Sequence, residues 1–133
     1  MHLVYGEEIE YGLIILHSKE EFPNVAHCLF DPFPGSDPEK GIFTPNGSRF
    51  YIDRRHPEMA TPECAHPHDL LLWSMANDLF LQGLKQKAEN RFKRERREGC
   101  IEIFRNNTDS KASFGCHENY MISRKISIER IMH

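Results

Sequence analysis

Glu8 and Glu10 stand two residues apart inside an apolar, strand-like segment, VYGEEIEYGLIIL, over residues 4–16. Side chains alternate faces along a strand, so both carboxylates project from one face. Two neighbouring carboxylates repel unless a cation sits between them or one takes a proton. Acidic residues are also depleted in strands. A hard divalent cation, Mg²⁺ or Mn²⁺, resolves the conflict because it prefers oxygen ligands. A solvent-facing edge strand with two hydrated charges is the competing reading of this segment alone.

Two further segments bear on that choice. NGSRFYIDRRHPEMATPEC (46–64) is entered through an Asn-Gly turn signal. Alternation there puts Arg49, Tyr51 and Asp53 on one face and Phe50 and Ile52 on the other. Pro57 and Pro62 then interrupt the pattern, which places Glu58 and Glu63 in an irregular stretch. IEIFRNNTDSKASFGCHENYMISR (101–124) reads as strand, turn over 107–115, and strand, with His117, Glu118 and Asn119 opening the second strand. Three acidic or His-bearing strand segments are thereby available to one cleft.

GEEIEYG, NGSRFYIDRRHPEMATPEC and FRNNTDSKASFGCHENYMISR together resemble the N-terminal portion of the Pup ligase and Pup deamidase (depupylase) family. That family belongs to the carboxylate–amine ligase group related to glutamine synthetase. The resemblance implies ATP- and Mg²⁺-dependent phosphorylation of the C-terminal glutamate of Pup, a small disordered tag. A target lysine then attacks to form an isopeptide bond. It implies Glu8, Glu10, Tyr51 and Glu58 as metal ligands, Asp53 as the catalytic aspartate and His117 as a metal or nucleotide contact. It assigns no role to Glu118, Asn119 or Glu63. The long extra loop of the deamidases is missing between Gly12 and Asn46, and NNTDS and GCHENY look more like the ligase branch. A Pup deamidase or depupylase is the alternative enzyme. A non-catalytic binding module is the alternative of another class, because residues 1–133 match only the first part of a much longer family chain. Its incomplete sheet implies self-association through an exposed edge.

The remaining features fit one cytoplasmic domain of this size. A net charge of −3 gives no bulk attraction to nucleic acid or anionic membrane. The start, MHLVYGEE, has no basic n-region, and no apolar run reaches membrane-spanning length. The four cysteines are widely spaced and read as reduced thiols. PECAHPH sets Cys64, His66 and His68 at alternating positions, without the paired spacing of a structural zinc site.

The spacing predicts a helix over residues 68–98, with Pro67 at its first turn and Gly99 as its stop. Leu71, Leu72, Met75, Leu79, Phe80, Leu84 and Ala88 form one apolar stripe, read as core. Its charged end, RFKRERRE, reads as a solvated helix terminus. The expected fold is α+β: an antiparallel sheet of about four or five strands, a partial glutamine synthetase-like cradle, backed by one long helix.

Overall fold

A computed structural model of the chain describes residues 4–19, 25–105, 108, 113 and 115–130. The fold is α+β, as the periodicities predict. A five-stranded antiparallel sheet contains β3 (Ile42–Phe43), β4 (Arg49–Asp53), β5 (His56–Ala60), β1 (Val4–Glu10) and β7 (Cys116–Met121), in that spatial order. A second, two-stranded sheet pairs β2 (Gly12–Leu16) with β6 (Cys100–Phe104). The helix α1 (Pro67–Arg94) packs against β1 and β6.

Pro57 does not end the second segment, contrary to the sequence expectation. His56–Ala60 is the central strand β5, paired with both β4 and β1. Ile52 lies opposite Pro57 yet sends its own N–H to Pro38 O, so that pair of β4 and β5 needs no amide from proline. On the other side Tyr11 N–H donates to Pro57 O, and proline has no N–H to return. The β1–β5 register accordingly stops at Glu10 opposite Glu58, and the chain passes into β2.

The core lies between the sheet and α1. Phe30 stacks on Phe50 with ring centroids 4.5 Å apart, and Ile9, Tyr11, Ile52, Met59 and Ile101 complete the sheet side. From α1 come Leu81, Leu84, Ala88 and Phe92. The predicted apolar stripe is therefore corrected in its first half: Leu71, Leu72, Met75 and Leu79 are exposed. The core-facing positions there are Ser74 and Asn77, so the buried face is polar where the exposed face is apolar. The helix also ends earlier than expected, at Arg94, with Glu95 as cap and Arg96 at a left-handed φ of 57°. Its basic end is partly neutralised, since Arg91 pairs with Asp31 and Glu95, and Arg97 with Glu95.

The 101–124 segment contains the two expected strands, but they do not pair with each other. β6 joins β2, while β7 joins β1 as the edge of the larger sheet. The turn expected over 107–115 lies outside the described residues, apart from Thr108, Ser113 and Gly115. All four cysteines are free thiols. Among the described residues, no helix is long and apolar enough to cross a membrane.

Candidate metal centre

Strand alternation builds the site on the sheet face turned away from α1. Ile9, Phe50, Ile52 and Met59 point into the core, so Glu8, Glu10, Tyr51, Asp53 and Glu58 point the other way. Register then aligns three strands. Glu10 lies opposite Glu58, and Glu58 lies opposite Tyr51. Asp53 ends β4 next to this row, just before the two-residue turn Arg54–Arg55. The result is a group of three carboxylates, Glu10, Asp53 and Glu58, whose ligand oxygens lie within 4.8 Å of one another. Among the described residues, no other group of three or more His, Cys, Asp or Glu side chains converges in this way.

Glu58 is the buried member, 4% exposed. Burial raises its pKa above the ordinary 4.5, and the charges of Glu8, Glu10 and Asp53 push the same way. The Tyr51 hydroxyl donates to Glu58 Oε1 and opposes the rise without cancelling it. Tyr51 itself is held far above the usual phenol range by burial, by that bond and by the charges of Glu58 and Glu8. Tyr51 is packed at its ring and at its Cβ. The Arg49 guanidinium lies 4.3 Å from the ring centroid. Gly41, at φ +71°, packs so closely that a Cβ there would stand 2.5 Å from the Cβ of Tyr51.

Glu10 is oriented by the backbone: the Gly115 N–H donates to its Oε2 at 2.7 Å. His56 Nδ1 lies 4.0 Å from the same oxygen. Glu8 sits one row along, opposite Ala60 on one side and His117 on the other. His117 Nδ1 lies 3.8 Å from Glu8 Oε2, with most of its side chain in solvent. The structure thus brings Glu10, Glu58 and Tyr51 together with Asp53. Glu8 and His117 form the adjacent pair, outside the three-carboxylate group. Beside them opens a cleft of about 470 Å³, lined among others by Glu8, Thr61, Glu63, Asn119 and Tyr120. It lies next to the carboxylate group and does not include it.

Sequence reasoning missed the Gly115 amide, which has no side-chain signature, and gave no role to Arg49, although its alternation with Tyr51 and Asp53 was readable. The donor set decides which ion fits. It is all oxygen, anionic and partly desolvated, which suits Mg²⁺ or Mn²⁺ and not the nitrogen and sulfur preference of zinc.

The fold and the site define a class: an α+β protein whose sheet face presents a carboxylate cradle suited to a hard divalent cation. The family model described as Pup-ligase protein matches residues 16–133. The chain belongs to the Pup ligase family and corresponds to its N-terminal portion. It is 35% identical to the Pup–protein ligase of Corynebacterium kroppenstedtii, over 96% of this chain and 28% of that protein. The Pup–protein ligase of Corynebacterium urealyticum is 38% identical over 96% of this chain and 26% of its own length. Among solved structures, the complex between the prokaryotic ubiquitin-like protein Pup and its ligase PafA matches with a TM-score of 0.86 and 33% identity. That match covers 98% of this chain and 27% of the solved chain. The chain therefore spans between a quarter and three-tenths of the length of these relatives.

Proposed function

We propose that this chain is the metal-binding wall of an ATP- and Mg²⁺-dependent Pup–protein ligase. The observation that carries the reading is the convergence of Glu10, Asp53 and Glu58 on one sheet face in a chain of this family. In this reading Glu10 and Glu58 hold the cation, with the Tyr51 oxygen beside them and Glu8 extending the acidic row toward the cleft. Mg²⁺ held there would supply positive charge against the charge that develops on a transferring phosphoryl group. The ligase reaction joins two steps. ATP phosphorylates the C-terminal glutamate carboxylate of Pup, and a lysine amine then displaces phosphate to form an isopeptide bond. Asp53, exposed at the end of β4, accepts the proton that the attacking amine must lose. His117 and the neighbouring cleft contact the nucleotide, and the Arg49 guanidinium supplies positive charge at the same face. The relatives named as Pup–protein ligases support the ligase branch over the deamidase. The outer edge of β7, exposed along the whole strand, is the surface for the expected self-association.

A chimaera tests this. Residues 1–133 replace the corresponding segment of the C. urealyticum ligase, and the product is incubated with ATP, Mg²⁺, Pup ending in glutamate and a lysine-bearing target. Conjugate is expected from the chimaera and none from the 133-residue chain alone, which spans 26% of the length of that ligase. A folded chimaera that forms no conjugate overturns the proposal.

A further inference from the structure

Arg105 follows β6 and lies behind β1, on the side away from the carboxylate row. Its guanidinium donates to Glu7 Oε1 at 2.9 Å, to Asp78 Oδ2 at 3.0 Å and to Ser74 Oγ at 3.1 Å. Asp78 accepts at its other oxygen from the Tyr11 hydroxyl, at 2.6 Å. One side chain thus ties β1, the first half of α1 and the segment after β6 to one another. The Glu7 side chain is only 13% exposed, and its Oε2 is buried without a hydrogen-bond partner. On the core side of the strand, shared with Ile9, the Arg105 guanidinium is the cation that pairs with this carboxylate. A buried charge deprived of its partner moves toward water.

Residues 7 and 8 point to opposite faces of β1. A twist of β1 that carries Glu7 away from the helix side turns Glu8 and Glu10 with it, because the three share one strand. The segment that begins at Arg105 also returns to β1 at Gly115, whose N–H holds Glu10 Oε2 and whose C=O accepts from Glu10 N–H at 2.9 Å. β1 is therefore gripped from behind by Arg105 and in front by Gly115.

We infer that Arg105 is a positioning residue for the metal face, holding Glu7 on the helix side and thereby Glu8 and Glu10 on the cradle side. Its effect on metal rests on the proposed function; its effect on the geometry does not. Arginine is required for the full arrangement because its planar fork reaches two carboxylates and a hydroxyl at once, which an ammonium does less well.

The test uses nuclear magnetic resonance on the 133-residue chain without metal, followed by Mn²⁺ titration. In Arg105→Met the Gly115 amide proton moves upfield as its bond to Glu10 weakens, while the amides of Phe50 and Met59 hold their positions. Mn²⁺ affinity falls about tenfold or more, the size seen when a group behind a metal ligand is removed. The double variant Glu7→Gln/Arg105→Met recovers much of both, because no unpaired charge is left, and Arg105→Lys is intermediate. An unmoved Gly115 amide in Arg105→Met overturns the inference, whatever the metal does. If Arg105→Met does not fold, Arg105→Lys decides: an upfield Gly115 shift supports the inference and none overturns it. A wild-type chain that binds no Mn²⁺, with the Gly115 shift still seen in Arg105→Met, sinks the metal reading and leaves this one standing.

Discussion

In Glu58→Gln, Mg²⁺ affinity drops by more than about a hundredfold, while the protein without metal becomes more stable. Both signs follow from the same geometry. Glu58 is buried beside Glu10 and Asp53, and its ionised form is disfavoured by burial first and then by the charges of Glu8, Glu10 and Asp53. Glutamine keeps the shape and still accepts from the Tyr51 hydroxyl, but it carries no charge to be desolvated or repelled. It also offers a cation only a neutral amide oxygen, and the loss of a direct ligand exceeds the roughly tenfold to hundredfold effect of groups behind one. The pH dependence has a definite direction. The folded pKa lies above the ordinary 4.5, so just above that pH the folded protein binds more protons than the unfolded chain. The stability contributed by Glu58 is fully present below 4.5 and is lost as pH rises through the raised value. Glu58→Gln removes that fall, and saturating Mg²⁺ reverses it in the wild type, because the ion binds the ionised carboxylate. Thermal unfolding against pH, with and without Mg²⁺, reads all three. A destabilised metal-free Glu58→Gln contradicts the electrostatic account.

The second large effect belongs to Asp53. In the ligase chimaera, Asp53→Asn lowers conjugate formation about a thousandfold and leaves nucleotide binding within about threefold, the pattern of a lost general base. Asn has the same shape but cannot take a proton from the lysine amine. The fold tolerates it, because Asp53 is exposed at the strand end and opposite His56. Asp53 also lies with Glu10 and Glu58, so a moderate loss of Mg²⁺ affinity accompanies the change. Single-turnover conjugation at saturating nucleotide separates the two effects. Undiminished turnover removes Asp53 from the mechanism.

The sheet face of β1 was legible because a period of two leaves no choice: once Ile9 is core, Glu8 and Glu10 must face away. The same logic carried Tyr51 and Asp53 through β4. It failed at Glu58, where Pro57 signals a break. The structure satisfies that proline by placing it opposite Ile52, whose amide bonds elsewhere. The first half of α1 misled for a different reason. Apolar periodicity selects Leu71, Leu72, Met75 and Leu79, but the side facing the sheet there carries Ser74, Asn77 and Asp78. Asp78 is held by Tyr11 and Arg105, partners distant in sequence. The separate fates of β6 and β7 were hidden for the same cause. Each pairs with a strand 84 to 117 positions earlier, and no local turn signal reports that. That Asp53 joins Glu10 and Glu58, with Glu8 standing apart beside His117, is likewise a matter of register, which only the paired strands define.

The most direct test is diffraction from crystals of the chain grown with Mn²⁺, recorded where manganese scatters anomalously. The account predicts a peak bounded by oxygens of Glu10 and Glu58 with Asp53 alongside, at about 2.1 Å as for magnesium, and its loss in Glu58→Gln. An ordered sheet face with Mn²⁺ saturating in solution and no peak among those three carboxylates would contradict it.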